Sequence, residues 1–147
     1  MKRFSASIAI DAPPEAVWRV LADVANWPDW DPTTDGAEGM VEKGGRLTFR
    51  AADAPGQALR VDITAVDEPF LLEWKGGAPP AFKTQRTHRV TPRADGDEGS
   101  LVEVTEVLSG PVLSLIQRQI PDIDRLLNDF LAGLKTRVEG AAQEGQL

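Results

Sequence analysis

The chain contains no cysteine, which excludes disulfide bonds, thiolate metal ligands and thiol nucleophiles. It contains a single histidine, His88, so a cluster of histidine ligands cannot form, and we expect neither a metal nor another cofactor. The sequence has no Gly-x-Ser-x-Gly motif and no phosphate-binding glycine loop. Basic residues number 16 against 23 acidic ones, a net charge of −7, which argues against a nucleic-acid partner.

Long apolar runs are also missing, and none approaches the roughly 18 residues of a membrane-spanning helix. The chain begins Met1-Lys2-Arg3, but the stretch Phe4–Ile10 that follows is interrupted by serines, unlike the ~7–15 apolar residues of a signal peptide. We therefore expect a cytoplasmic protein without integral membrane association, and a monomer or weak homodimer. The length of 147 residues fits one domain, residues 1–147, with a frayed tail over 140–147.

Most of the chain alternates between apolar and polar residues, as a half-buried strand does. The pattern predicts strands over Phe4–Ile10, Arg46–Ala51, Leu59–Ala65, Leu71–Lys75, Phe82–Val90 and Leu101–Leu108, with a loop over Gly76–Pro80. Short turns join these strands, which favours an antiparallel meander with one apolar face.

Helical patterns occupy the two ends of the sequence. Pro13 and Pro14 begin a short amphipathic helix, and Asn26–Pro32 forms a helical turn whose Trp27 and Trp30 we expect to press on the sheet. From Val112 the apolar period becomes 3.6 residues, which predicts a long helix with the stripe Leu113, Ile116, Ile120, Ile123, Leu127, Phe130 and Leu134. This order predicts an α+β fold in which the terminal helix covers the sheet.

Four short sequences within this order resemble the SRPBCC superfamily, also called START-like or helix-grip proteins, and most closely its polyketide cyclase/dehydrase-like branch. They are Asp11–Trp18, Asn26–Pro32, Val107–Pro111 and Leu134–Glu139. The resemblance implies a curved antiparallel sheet of six or seven strands around the long C-terminal helix, with two short helices after the first strand. It also implies a cavity for lipids, polyketides or other apolar molecules, with the loops Ala52–Gly56 and Gly76–Pro80 at its mouth.

The last two strands predict a polar pair on the apolar face. A turn near Asp95–Asp97 places Val90 opposite Val102, and the same register then sets His88 opposite Val104 and Arg86 opposite Glu106. A charge on an apolar face is costly unless it is paired, so each member explains the other. The pair either anchors a ligand through Arg86 or orders the sheet without touching a ligand.

Where the strand pattern meets the helical stripe, we predict a ligand pocket. Its predicted lining is Phe49, Val61, Ile63, Trp74, Phe82, Arg86, His88, Val104, Glu106 and Leu108 from the sheet, and Ile116, Ile120, Ile123 and Leu127 from the helix. Pro121 interrupts the helix, so the segment Val112–Ile120 either forms a lid or follows a static kink.

Three functions remain open at this point. The first is binding of an apolar or aromatic small molecule. The second is a cofactor-free cyclase or dehydratase in which Arg86, His88 and Glu106 polarise and deprotonate a bound carbonyl compound. The third is a protein-interaction module of the co-chaperone or toxin-like kind, which would show a solid core and a broad exposed apolar patch.

Overall fold

Seven antiparallel strands form one sheet in the computed structural model, which describes residues 1–52, 58–93, 98–115 and 122–143. The strands are β1 (Lys2–Ile10), β2 (Thr34–Glu38), β3 (Arg46–Ala51), β4 (Ala58–Asp67), β5 (Leu71–Ala78), β6 (Phe82–Pro92) and β7 (Ser100–Ser109). Their order across the sheet is β1-β7-β6-β5-β4-β3-β2. Every chain neighbour from β2 to β7 is also a spatial neighbour, and β1 returns to pair with β7. The predicted meander is confirmed.

Two parts of the sheet differ from the sequence prediction. The edge strand β2 was not predicted, because Thr34–Glu38 contains no large apolar residue; it pairs with β3 and packs against the 3₁₀ helix Val24–Asp29. Strand β5 continues through Gly76 and Gly77 to Ala78, where the sequence predicts a loop. Both glycines pair with β6, at Thr84 and Lys83, so the backbone ladder overrides the glycine signal.

The helices cover the concave face of the sheet. Helix α1 spans Pro14–Ala22, a 3₁₀ helix spans Val24–Asp29, and helix α2 spans Ile123–Gln143. These elements give the predicted α+β helix-grip fold. None of the helices in the described ranges is long and apolar enough to cross a membrane.

The predicted start and end of the terminal helix were not correct. Residues Pro111–Ser114 form a 3₁₀ turn where the sequence predicts the first turn of a long α-helix. At the other end, α2 continues to Gln143, so residues 140–143 are helical where fraying was predicted. Ile116, Ile120 and Pro121 lie outside the described residues, and so do residues 116–120 of the predicted lid Val112–Ile120 and Asp53–Gly56 of one predicted mouth loop.

Helix α2 is fixed to the sheet by an apolar stripe and by polar contacts at one end. The stripe residues Ile123, Leu127, Phe130, Leu134 and Val138 are all buried. Lys135 donates through Nζ to the carbonyl of Ala9 at 2.9 Å, and the Glu139 carboxylate accepts from the backbone N–H of Asp11 at 2.9 Å. The C-terminal half of α2 therefore lies at the end of the sheet where β1 ends.

Helix α2 also passes very close to the loop after the 3₁₀ helix. A Cβ added to Gly133 would overlap the Trp30 carbonyl oxygen, whereas a Cβ added to Gly140 on the same helix would meet nothing within 4 Å. Gly133 therefore allows a backbone approach that no other residue type permits.

We predict opposite effects for alanine at these two glycines. Gly133→Ala should lower the free energy of unfolding by about 1–3 kcal/mol, because the helix must move away from Trp30. Gly140→Ala should raise it by about 0.5–1 kcal/mol, because alanine favours the helix and has room there. Urea unfolding of the two variants measures both changes. A gain in stability for Gly133→Ala would contradict this packing.

Candidate functional site

The predicted register of the last two strands is confirmed. In the β6–β7 pair, Val90 lies opposite Val102, His88 opposite Val104 and Arg86 opposite Glu106. Val90, Val102, Val104 and His88 are completely buried, so this face is the concave one that α2 covers. Because side chains alternate between the two faces of a strand, Arg86 and Glu106 lie on the concave face as well.

Arg86 and Glu106 form an ion pair that is largely withdrawn from water. The Arg86 Nε donates to Glu106 Oε2 at 2.8 Å, and the two side chains are 20% and 11% exposed. The guanidinium carbon lies 5.8 Å from the centre of the Trp74 ring, at cation–π distance. By contrast, the Arg46–Asp62 pair on the opposite face of the sheet has a similar length of 3.0 Å but is 64% and 66% exposed.

One half of the concave face is filled by aromatic rings. Trp27 is 1% exposed and lies at their centre. The centroid of its ring is 5.1–6.2 Å from those of Trp30, Phe49, Trp74, His88 and Phe130. The predicted contact of Trp27 with the sheet is thus confirmed, and this half of the grip is a solid core.

The other half of the concave face is more open. We call this the mouth end, where β1 and β6 begin and β5 and β7 end. Phe4, Phe82 and Arg86 are only partly buried there, although they face the inside of the curve. Leu59 lies opposite Phe49 on the same face and is 49% exposed. These inward-facing side chains are therefore packed less completely than those around Trp27.

The residues predicted to line the pocket divide between these two halves. The packed core contains Phe49, Val61, Ile63, Trp74, His88, Val104, Leu108, Ile123 and Leu127, each at most 8% exposed. Phe82 and Arg86 are partly buried at the mouth end, with Glu106 paired to Arg86. The sequence reasoning omitted Phe130, although it belongs to the predicted stripe and contacts both Trp27 and His88.

His88 is held in one tautomer by the backbone. Its Nδ1 lies 3.1 Å from the carbonyl oxygen of Leu72, which can only accept, so Nδ1 carries the hydrogen. The buried Nε2 is then an acceptor, and it has no hydrogen-bond partner among the described residues. Burial, and secondarily the positive charge of Arg86, lower the pKa of His88 from 6.5 to about 3, against a smaller opposing effect of the Leu72 bond. A ring with so low a pKa is a weak general base near neutral pH.

A groove of about 770 Å³ lies elsewhere, on the outer side of α2. It runs between the loop Pro28–Pro32 and the outward-facing α2 residues Asp129, Ala132, Gly133, Thr136, Arg137, Gly140 and Ala141. It contains none of the residues predicted to bind the ligand. Within the described ranges, no three histidine or carboxylate side chains come together as metal ligands.

A family model described as polyketide cyclase/dehydrase and lipid transport matches residues 1–139. The chain belongs to this family. No curated protein matches the chain.

Solved structures of three proteins show the same fold. The di-domain aromatase/cyclase BexL of the BE-7585A biosynthetic pathway matches with a TM-score of 0.73 and 23% identity, over 97% of this chain and 48% of that one. A Thermus thermophilus protein matches with a TM-score of 0.72 and 23% identity, over 95% and 99%. Norcoclaurine synthase of Thalictrum flavum matches with a TM-score of 0.71 and 15% identity, over 96% of both chains. This chain therefore spans about half the length of BexL.

We predict that the Arg86–Glu106 pair couples strongly in stability. Glu106→Leu should cost about 3 kcal/mol, the lower end of the range for a broken buried pair, because Arg86 keeps a fifth of its side chain exposed. The double variant Arg86→Met/Glu106→Leu should cost less than the sum of the two single changes. Denaturant unfolding of the four proteins gives the coupling free energy. In the exposed control pair, Asp62→Leu should cost at most about 1 kcal/mol; equal costs at the two sites would refute the burial argument.

We also predict that His88 contributes to acid sensitivity. Its folded-state pKa of about 3 lies below the unfolded value of 6.5, so the unfolded state binds more protons between these pH values and stability falls as the pH falls. Between pH 7.5 and pH 5, His88 should account for a loss of about 2 kcal/mol. His88→Gln, which does not titrate, should show a correspondingly smaller loss in urea unfolding at the two pH values. An unchanged pH dependence would show that His88 titrates normally.

Proposed function

We propose that this protein binds an apolar or aromatic small molecule at the mouth end of the concave face. The observation that supports this most directly is the largely buried Arg86–Glu106 pair beside Trp74, next to inward-facing apolar side chains that are still accessible. Ligand sites commonly combine an apolar wall with a few placed polar groups. Membership of a family described by both cyclisation and lipid transport agrees with such a site.

In this proposal, Arg86 anchors the polar end of the ligand. The bond to Glu106 uses only the Nε hydrogen, so the four Nη hydrogens remain to bind a carbonyl or carboxylate. Glu106 holds the guanidinium in position, and the Trp74 ring fixes its plane from one side. Phe82 and Leu59, which face inward and are still accessible, contact the apolar part of the ligand.

A cyclase or dehydratase is the second candidate, favoured by the family description and by the likeness to BexL. In that function, Arg86 would stabilise negative charge on a ligand carbonyl oxygen and Glu106 would accept a proton. His88 is unsuited to the role of base proposed from the sequence, because its pKa is about 3 and its ring is completely buried. Binding and catalysis share the same site, and measured turnover separates them.

The binding proposal can be tested with two fluorescent probes of similar shape. The wild type should bind both 1-anilinonaphthalene-8-sulfonate, which carries an anion, and neutral N-phenyl-1-naphthylamine. Arg86→Met/Glu106→Gln should weaken binding of the sulfonate by about 10-fold or more, because a charge-assisted bond is lost, and should leave the neutral probe nearly unchanged.

The matched control for this test is Arg46→Met/Asp62→Asn, which removes the exposed pair from the opposite face. It should change the affinity for neither probe. If the wild type binds neither probe, the proposed function is wrong. If both probes bind equally well to the Arg86 variant, the site exists but Arg86 is not its anchor.

A further inference from the structure

Acidic residues are absent from one long segment of an otherwise acidic chain. Between Trp74 and Arg93 there is no aspartate or glutamate, although the whole sequence contains 23. The same segment carries the cations Lys75, Lys83, Arg86, Arg89 and Arg93. It forms most of β5, the turn at Pro79-Pro80 and all of β6, so one hairpin concentrates positive charge in a protein with a net charge of −7.

Two of these cations flank the tip of the hairpin on the convex face of the sheet. Lys75 lies opposite Gln85, and Lys83 lies opposite Gly77, so the two lysines are diagonal neighbours. Two further arginines extend this group. Arg3 pairs with Val107, and Val107 pairs with Gln85, the partner of Lys75, so Arg3 and Lys75 lie in one row across the sheet. Arg60 lies two residues before Asp62, which pairs with Lys75 on its other side. We call Arg3, Arg60, Lys75 and Lys83 the basic patch.

The basic patch is exposed and is not neutralised by the protein. All four side chains are exposed, and in the described part of the chain none has a carboxylate within 4 Å. Asp62, which shares their face, is bonded instead to Arg46 at 3.0 Å. On the sheet, the exposed acidic residues Asp11, Asp67 and Glu68 lie at the opposite end, where β1 and β4 end, whereas Asp35 on β2 and Asp122 at the start of α2 lie at the mouth end, away from the hairpin. The positive charge is therefore local to the convex side of the hairpin.

Apolar groups accompany the basic patch at this end. The hairpin tip Ala78-Pro79-Pro80 is exposed and lies between the two lysines in sequence. Pro79, Val107 and the stems of both lysines line a groove of about 360 Å³ on the convex side. The 3₁₀ turn Pro111–Ser114 is held at this end by a hydrogen bond from the Val112 N–H to the Ala81 carbonyl. Leu115, the next residue, is 80% exposed.

We propose that the mouth end of this protein docks on anionic phospholipid bilayers through the basic patch and the hairpin tip. Lysines beside an apolar tip suit the bilayer interface, because their stems lie along apolar groups while their ammonium groups meet lipid phosphates. An acidic protein is the alternative partner, and it would also attract the lysines and arginines. It would, however, offer no apolar layer for the hairpin tip, which a bilayer does. The docked orientation turns Asp11, Asp67 and Glu68 away from the anionic surface and presents the hairpin side of the mouth end to the bilayer. The link to ligand uptake rests on the proposed function, whereas docking is measurable without any ligand.

The test is co-sedimentation of the full chain with two kinds of vesicle. One kind is phosphatidylcholine alone, and the other contains about 30 mol% phosphatidylglycerol in phosphatidylcholine. We expect binding to the anionic vesicles only, and a marked loss of it in high salt, because exposed charges are screened. Lys75→Gln/Lys83→Gln should reduce the partition coefficient about 30-fold, the product of about fivefold for each lysine near the surface.

The matched control is Lys43→Gln/Arg89→Gln, which removes the same charge from residues outside the mouth end. It should bind the anionic vesicles within about twofold of the wild type, since the patch is intact. Failure of the wild type to bind anionic vesicles overturns the proposal, as does an equal loss in the control variant. Binding of the two fluorescent probes to the same protein samples reports on the ligand site separately, so failure of docking and failure of the proposed function are distinguishable.

Discussion

The architecture depends on how Trp27 packs between the sheet and the helices. Its indole N–H donates to the Leu21 carbonyl at 3.0 Å, which fixes the 3₁₀ helix against the end of α1. The ring contacts Phe49, Trp74 and His88 of the sheet and Phe130 of α2. One side chain therefore sets the spacing of three layers. Because it fills one half of the concave face, the ligand site that we propose lies in the other half.

The packed half and the open half of the concave face hold different polar groups. His88 lies among the rings, where burial lowers its pKa and keeps it neutral, and its one hydrogen is donated to the Leu72 carbonyl. Arg86, two residues earlier on the same strand, cannot become neutral and therefore needs Glu106. The ion pair thus marks the boundary between the solid half and the open half. The guanidinium at this boundary is largely withdrawn from water and still a fifth exposed, and the ligand anchor that we propose depends on this combination.

The alternation of apolar and polar residues was sufficient to predict the β6–β7 register, but not strand β2 or the burial of Trp27. The β6–β7 register followed from two alternating strands and a short turn, since a shift of one residue would have placed Val90 and Val102 in water. Strand β2 could not be found in this way, because Thr34–Glu38 has no large apolar residue and its position depends on pairing with β3 and on packing against the 3₁₀ helix. The complete burial of Trp27 could not be predicted from the sequence either. Its spacing from Trp30 indicated contact with the sheet, but only the tertiary arrangement shows that five rings surround it.

The two faces of strand β6 allow the ligand site and the docking surface that we propose to lie at the same end of the molecule. Its alternate residues Phe82, Arg86 and His88 face the concave side, while Lys83 and Arg89 between them face outward. The two-residue period separates the faces completely, so a charge added outside does not enter the core. Selection can therefore change the outer surface of the hairpin without disturbing the ion pair. A single strand with two independent faces is sufficient to place a cationic surface beside the opening of an apolar site.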